Sequence, residues 1–307
     1  MSQDKTVFMD GLLRISLLGG EARAFLAEST HLVERARALH ALSRTATAAL
    51  GRTLTLTAIM GSMLKGKDES VTVRIDGDGP AGTILCVGKP DGAVKGFISH
   101  PGAEVPRRGS KLDVGALVGR GTLSVIKDMR LREPYVGQVE LVSGEIGEDF
   151  AMYFTSSEQT PSLVSVGVLV ADAVASAGGL VIQLMPGASE AAIQSIENSA
   201  GLFMDISRTM GEDHLEGALE QLLTHLEPQV LDCIPIRYEC DCTRERVERA
   251  LMLLGPDELR DMIEKEHGAK VDCHFCNTRR SFTQAELEEL ILKCGTKERP
   301  SADADPQ

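Results

Sequence analysis

Tryptophan is absent from this 307-residue chain, and tyrosine and phenylalanine are rare, with three and eight copies. Proteins that bind single-stranded nucleic acid stack the bases on aromatic side chains and hold the phosphates in a basic groove. Basic residues are also in deficit, because 32 Lys and Arg are outnumbered by 45 Asp and Glu, which leaves a net charge of −13. We therefore do not expect the chain to bind nucleic acid.

An apolar run long enough to cross a membrane is missing as well. The most apolar stretch, residues 163–185, is interrupted by Asp172 and by the pair Gly178-Gly179. It predicts two buried strands rather than a membrane helix, which needs about 20 predominantly apolar residues. The first five residues lack the basic and apolar regions of a secretory signal. With seven cysteines, an odd number, these features favour a reducing, cytoplasmic setting and no membrane partner.

Signatures of an enzyme are also missing: the sequence shows no Ser/His/Asp triad, activated carboxylate pair or P-loop pattern. Gly77, Gly79 and Gly82 match the spacing of a dinucleotide-binding fingerprint, but residues 83–87 are rich in strand-forming residues and Pro80 lies inside the motif. That fingerprint needs a helix at this point to bind a pyrophosphate. We therefore predict a hairpin turn here, and a protein that is not an enzyme.

What is present predicts an α+β fold, because strands and helices are mixed without a regular βαβ alternation. Residues 1–188 form the expected core domain. The segment from Ser43 to Leu64 has helical character but only two charged residues, Arg44 and Arg52. A helix that is apolar nearly all round is expected inside a core.

Composition changes after residue 188. Residues 189–232 contain nine acids and one base, Arg208, and their apolar residues recur at helical spacing. Gly201, Gly211 and Gly217 each weaken a helix by roughly 1 kcal/mol relative to alanine. We therefore expect an acidic, metastable helical linker that depends on docking for its stability. An ordinary helical connector is the alternative.

Four cysteines carry the strongest chemical signal, Cys240 and Cys242 followed by Cys273 and Cys276. Thirty residues separate the Cys-x-Cys pair from the Cys-x-x-Cys pair. Thiolates are soft donors, and four of them suit one tetrahedral Zn²⁺ ion. Two close pairs separated by a helical insert are typical of a metal site. Asn277, directly after the second pair, tolerates the positive φ that such a turn often needs.

The cysteines belong to an expected C-terminal module at residues 233–293, followed by a disordered tail at 294–307. Thr243 is expected to cap one helix, and Thr283 with Glu286 to form a capping box on the last helix. About 60 residues with few large apolar side chains could hardly fold alone, so zinc is expected to stabilise them by on the order of 10–16 kcal/mol.

The remaining chemistry-bearing residues are expected to lie outside the metal site. The four cysteines already complete a tetrahedron, so His267 and His274 are expected at the surface or behind the ligands. Cys86 lies in a predicted strand and is expected to be buried and inert. Cys233 and Cys294 flank the module, where a secondary oxidation is conceivable.

The chain resembles the redox-regulated 33-kilodalton heat-shock chaperone family. The resemblance rests on the cysteine spacing, and on stretches elsewhere in the sequence between about residues 10 and 292. These stretches are Gly77-Asp-Gly-Pro80, Tyr153-Phe-Thr-Ser-Ser-Glu-Gln-Thr-Pro161, Ala177-Gly-Gly-Leu-Val-Ile-Gln-Leu-Met-Pro186 and Cys240-Asp-Cys-Thr-Arg-Glu-Arg246. Asn277 and the extra thiols Cys86, Cys233 and Cys294 depart from the family pattern.

The resemblance implies an ATP-independent holdase that is inactive when reduced and zinc-bound. Oxidation would release zinc and form Cys240–Cys242 and Cys273–Cys276 disulfides, and the linker would then expose apolar residues to unfolding client proteins. The family also implies dimerisation on activation.

Two other functions remain open from the residues alone. One is a structural zinc ribbon that docks another protein. The other is a thiol oxidoreductase that uses Cys273 and Cys276. That chemistry normally places the first cysteine at a helix N-terminus, where its pKa is lowered. Here the next predicted helix begins only at Thr283, which disfavours the oxidoreductase.

Overall fold

The computed structural model describes residues 10–295, which divide into two compact units between Glu239 and Cys240. We call residues 10–239 the large unit and residues 240–295 the small unit. None of the helices in this described part of the chain is long and apolar enough to cross a membrane. Of the predicted tail, residues 294–307, the first two residues end the last helix, and residues 296–307 lie outside the described residues.

The large unit contains an antiparallel five-stranded sheet in the order β10-β1-β2-β9-β8. Its strands are β1 (Gly11–Leu17), β2 (Ala22–Glu28), β8 (Ser162–Val170), β9 (Val174–Leu184) and β10 (Gln229–Pro235). Strands β8 and β9 correspond to the two strands predicted within residues 163–185, and they pair with each other as a hairpin.

A six-stranded sheet has the order β11-β5-β4-β3-β6-β7. All its pairs are antiparallel except the short parallel pair of β11 and β5. Its strands are β3 (Ser70–Gly77), β4 (Thr83–Gly88), β5 (Ala93–Ile98), β6 (Gly121–Asp128), β7 (Tyr135–Glu140) and β11 (Arg237–Tyr238). Helices α1 (Thr30–His40), α2 (Arg44–Ser62), α3 (Val114–Val118) and α4 (Gly147–Ser156) complete the mixed core.

Helix α2 is the buried helix that the sequence predicts. Residues 45–62 are all buried except Arg52. Ser43 caps its N-terminus, because the Ser43 side chain accepts a hydrogen bond from the Ala46 amide. The buried hydroxyl groups of Thr53, Thr55 and Thr57 donate to the carbonyl oxygens four residues earlier. The threonines are therefore satisfied within the helix, and α2 can pass through the core without unpaired hydroxyl groups.

The glycine motif forms a hairpin turn, as predicted. Strand β3 ends at Gly77 and pairs antiparallel with β4, with Asp76 opposite Thr83. A Cβ atom at Gly77 would lie 1.9 Å from the Val118 carbonyl oxygen, and one at Gly79 would lie 2.4 Å from that of Leu117. The glycines therefore allow the turn to approach α3, and no helix follows them that could bind a pyrophosphate.

The linker segment, residues 189–232, packs on one face of the five-stranded sheet through α5 (Glu190–Ser199) and α6 (Ile206–Leu223). Its buried apolar residues contact a row of strand residues that includes Leu13, Ile15, Leu26 and Leu180. The buried linker residues are Ala192, Ile196, Phe203, Ile206, Met210, Ala218, Leu222, Leu223 and Leu226. The predicted helices and their apolar face are present, and metastability stays a prediction.

The end of the linker segment differs from the expectation. Residues 229–235 form strand β10, which pairs with β1 and places Cys233 opposite Leu13. The compact small unit therefore begins at Cys240 rather than at Cys233. This strand pairing joins residues more than 200 positions apart in the sequence, so the local pattern around Cys233 does not reveal it.

The small unit contains α7 (Arg244–Leu254), α8 (Pro256–Glu266), the hairpin β12 (Gly268–Asp272) and β13 (Arg279–Thr283), and α9 (Gln284–Gly295). The Thr243 cap and the Thr283–Glu286 capping box are present as predicted. The apolar core is small; its buried members are Leu251, Leu259, Ala269, Phe282, Leu287 and Leu290.

Truncation of Leu54, whose side chain is fully buried in α2, should destabilise the large unit. Because Leu54→Ala leaves a cavity, we expect a loss of about 2–5 kcal/mol in the free energy of unfolding. Denaturant unfolding of the full chain followed by circular dichroism measures this loss. Leu131→Ala, at a position that is 67% exposed, is the control and should change stability by less than about 0.5 kcal/mol. Equal effects of the two substitutions would contradict the buried position of α2.

Candidate metal centre

The four cysteines of the two predicted pairs meet at one end of the small unit. Their Sγ atoms all lie within 4.8 Å of one another. Sγ of Cys240 lies 3.7 Å from that of Cys273, and Sγ of Cys242 lies 3.2 Å from that of Cys276. The fold therefore brings together two segments that thirty residues separate in the sequence.

The Cys-x-x-Cys pair lies in the turn between β12 and β13. The amides of Cys276 and Asn277 donate to the Cys273 carbonyl oxygen at 3.3 and 2.8 Å, and the Cys273 amide donates to Thr278. Asn277 has φ of 54°, as the sequence predicts. These backbone hydrogen bonds bend the chain so that both thiol groups point to the same side.

The Cys-x-Cys pair lies just before α7, and Arg280 ties it to the hairpin. The Arg280 guanidinium donates two hydrogen bonds to the Cys242 carbonyl oxygen, at 3.1 and 2.6 Å. Asp241 pairs with Arg246 in the first turn of α7. Backbone and side-chain contacts therefore hold the two cysteine pairs in place without using the sulfur atoms. Sequence inspection missed this role of Arg280, because an arginine in a short strand has no characteristic pattern.

The geometry fits a tetrahedral metal ion. Metal–sulfur bonds of about 2.3 Å at tetrahedral angles place the sulfur atoms about 3.8 Å apart. The measured separations of 3.7 and 3.2 Å, and the upper limit of 4.8 Å for the whole group, lie around that value. Four soft sulfur donors with these separations can hold a metal ion, and within residues 10–295 this is the one cluster of its kind.

Electrostatics of the thiol groups also favour a bound cation. Burial raises the pKa of Cys240 and of Cys242. At Cys276, burial is outweighed by hydrogen bonds with Thr278 and Cys242, which lower the pKa to about 6. One thiolate therefore exists at neutral pH, and the buried partners need positive charge nearby to lose their protons.

The neighbouring histidines do not join the cluster. The metal-site group comprises the four cysteines alone among the described residues. His267 ends α8 in a left-handed conformation with φ of 54°, and His274 lies inside the turn between the ligands. Their exclusion agrees with the four-thiol set predicted from sequence.

The structure removes the structural basis for a thioredoxin-like site. Cys273 and Cys276 lie in a β-hairpin turn, and α9 begins only at Gln284. The Cys-x-x-Cys pair is therefore not followed directly by a helix, as it is in an oxidoreductase of that kind.

The three remaining cysteines lie elsewhere. Cys86 is fully buried in β4, as predicted, and burial raises its pKa strongly. Cys233 is exposed on β10 in the large unit, and Cys294 is half-buried in α9 of the small unit. None of the three belongs to the cluster.

The sequence model of one protein family, described as Hsp33 protein, matches residues 10–283. The chain belongs to the Hsp33 family. Curated relatives named 33 kDa chaperonin include those of Geobacillus kaustophilus, 46% identical, and Alkaliphilus metalliredigens, 43% identical. Their alignments cover 92% and 91% of this chain, and 97% and 98% of the relatives.

A solved structure supports the same family. The crystal structure of the 33 kDa chaperonin of Thermotoga maritima is 36% identical, with a TM-score of 0.82. The match covers 92% of this chain and 98% of that chain. Membership in the Hsp33 family confirms the resemblance stated from the sequence and supports a chaperone function.

Each of the four clustered cysteines should be required for metal binding. Cys240→Ser replaces a soft thiolate by a hydroxyl group that stays protonated, so the protein should retain no bound metal after dialysis. Elemental analysis of the purified protein measures the metal per chain. Cys233→Ser is the matched control and should keep the wild-type content. A Cys240→Ser protein with full metal content would contradict the site.

Proposed function

We propose that the chain is a redox-regulated, ATP-independent holdase, inactive while one Zn²⁺ ion is bound by Cys240, Cys242, Cys273 and Cys276. The observation that carries the proposal is the clustering of these thiol groups within 4.8 Å, in a small unit of an Hsp33-family chain. Soft, tetrahedral sulfur coordination favours zinc over harder cations. No catalytic turnover is part of the proposal.

Zinc, when bound, keeps the four thiols deprotonated and contributes on the order of 10–16 kcal/mol to folding. The small unit depends on this contribution, because its core has only six buried apolar residues. Arg280 and the hairpin turn orient the thiol groups through hydrogen bonds to backbone groups near the cysteines. Loss of the sulfur ligands should therefore unfold the small unit.

Oxidation is the proposed trigger. Two thiolates lose two electrons to form one disulfide, while one hydrogen peroxide takes up these electrons and two protons from the solvent and gives two waters. Two peroxide molecules therefore convert the four ligands into two disulfides, and the metal loses its thiolate donors. Following the family expectation, we propose Cys240–Cys242 and Cys273–Cys276 as the pairs.

Release of the linker segment follows in the proposal. The chain runs from β11, which ends at Tyr238, to the first ligand at Cys240. Unfolding of the small unit therefore leaves the short pair of β11 with β5 as the next attachment before the segment that contains β10 and α6, and we propose that this segment then detaches. The buried apolar face of the linker, including Phe203 and Met210, then becomes available to unfolding client proteins.

The proposed partners are unfolding client proteins and, on activation, a second copy of the chain. The excess of acidic residues supports the absence of nucleic acid from this set. Free thiols at all seven cysteines are consistent with the cytoplasm as the proposed location.

A structural zinc module that docks another protein is the second candidate. The observation in its favour is that the small unit exposes several large apolar side chains. Leu253 and Leu292 are 87% and 72% exposed, and Leu254 is 51% exposed. If this second function is correct, the zinc should stay bound and the small unit should stay folded after oxidation.

Light scattering from a heat-unfolded client tests the redox switch. The reduced, zinc-loaded protein should leave aggregation unchanged, whereas the protein treated with peroxide at mild heat should suppress it. Dithiothreitol with zinc should reverse the effect. Cys233→Ser should behave as the wild type does. Equal behaviour of the reduced and oxidised samples, with zinc retained, would favour the docking module instead.

Peptide mapping after oxidation tests the pairing. We expect the bridges Cys240–Cys242 and Cys273–Cys276, each closing a short loop. The fold also places Cys242 near Cys276, with their Sγ atoms 3.2 Å apart. A dominant Cys242–Cys276 bridge would show that the folded geometry, rather than the unfolded small unit, decides the pairing, and would overturn the proposed pairs.

A further inference from the structure

Helix α6 crosses the five-stranded sheet over a row of three glycines and one glutamate. Gly167 of β8 lies opposite Gly178 of β9, Gly178 lies opposite Glu28 of β2, and Glu28 lies opposite Gly11 of β1. We call these four residues the linker seat. They form one continuous line across four neighbouring strands, on the face that carries the linker segment.

Gly167 and Gly178 let the linker approach more closely than any side chain would allow, and at Gly11 a side chain would fit only tightly. A Cβ atom at each glycine would meet a residue of α6: Ser207 Oγ at 2.7 Å from Gly167, Met210 Cγ at 2.5 Å from Gly178, and Leu215 Cδ2 at 3.2 Å from Gly11. Real Cβ atoms essentially never lie under 3.0 Å from another heavy atom. Successive residues along α6 therefore rest on successive strands of the sheet.

Glu28 is the polar member of the row and meets the point where α6 breaks. His214 has φ of 54° and ψ of −164°, so the helix is interrupted there. The two carboxylate oxygens of Glu28 accept hydrogen bonds from His214 Nδ1 at 2.8 Å and from the Leu215 amide at 3.1 Å. A carboxylate at the start of a helix satisfies an unpaired amide and interacts favourably with the helix dipole.

This contact is suited to fixing a register. The Glu28 side chain is only 10% exposed, so undocking of α6 would leave its carboxylate without these partners. The hydrogen bond to Glu28 also raises the pKa of His214. A slide of α6 by one residue would bring a different amide to Glu28 and a different side chain over each glycine.

We propose that the linker seat fixes the register in which α6 docks on the sheet. In this proposal Glu28 is the positioning residue that determines how readily the linker segment leaves the sheet. The inference rests on the proposed function in one respect only: that a linker segment which leaves the sheet exposes apolar residues to clients. The seat itself is a property of the folded large unit.

Gly167→Ala tests the glycines without disturbing the strands. The three atoms nearest to the new methyl group all belong to Ser207 of the linker, and alanine fits a strand at least as well as glycine does. Hydrogen–deuterium exchange of the reduced, metal-loaded full chain should then be about tenfold faster in α6 and unchanged in α2. Adding Ser207→Gly to Gly167→Ala removes the side chain that the new methyl group meets. Exchange in α6 of this double variant should therefore be slower than in the single variant Ser207→Gly.

Glu28→Gln tests the carboxylate, because the amide keeps the shape but removes the charge and one acceptor oxygen. Exchange around residues 214–218 should again rise by about tenfold. Gly201→Ala is the matched control, since a methyl group at this linker glycine meets nothing within 4 Å. It should leave the exchange of α6 unchanged.

The proposed role of the linker seat would be overturned if α6 exchanged at the wild-type rate in both Gly167→Ala and Glu28→Gln. It would also be overturned if exchange in α2 became faster to the same extent as in α6. Client aggregation separates this inference from the proposed function. If α6 exchanges faster and the reduced variants suppress aggregation, both stand. If α6 exchanges faster while the reduced variants stay inactive, the seat stands and the linker-release function fails.

Discussion

Convergence of four thiol groups on one point is the constraint on which the small unit depends. It joins two segments separated by thirty residues, and the entropy of closing such a loop opposes it. Arg280 and the hairpin turn hold the backbone in place, but two of the thiols have pKa values raised by burial. The cation that we propose would resolve this conflict, because thiolates that repel one another would become its ligands. In the proposed function, an agent that oxidises the thiolates therefore removes the main stabilisation of the unit.

The linker segment combines strong and weak forms of attachment. Its apolar face is well buried on the sheet, with Phe203 and Met210 almost inaccessible to solvent. Helix α6 nevertheless contains two glycines, Gly211 and Gly217, and a break at His214, which lower its stability in isolation. We therefore expect that the segment is ordered only while it is docked. Its docking site on the sheet is correspondingly specific, with glycines where α6 approaches and a carboxylate where α6 breaks.

Local sequence predicted those features that local physics determines. These features are the clustering of the four cysteines, the positive φ of Asn277, the caps at Thr243 and Thr283, and the buried helix, which all follow from residue type and spacing. Strand β10 was not predicted, because its partner β1 lies more than 200 residues earlier in the sequence and no local pattern indicates that pairing. The interactions of Arg280 and Glu28 were also missed, since each acts on a backbone group far away in the sequence.

Native mass spectrometry during a peroxide titration of the full chain tests the central claim most directly, because it reports bound metal, disulfide formation and compactness of the same molecules. The account predicts that metal-free molecules are lighter than the reduced, metal-free chain by four hydrogens, because they contain two disulfides. They should also carry the high charge states of a partly unfolded chain. Metal-bound molecules should stay reduced and compact. Oxidised, metal-free molecules that remain as compact as the reduced form would contradict the account.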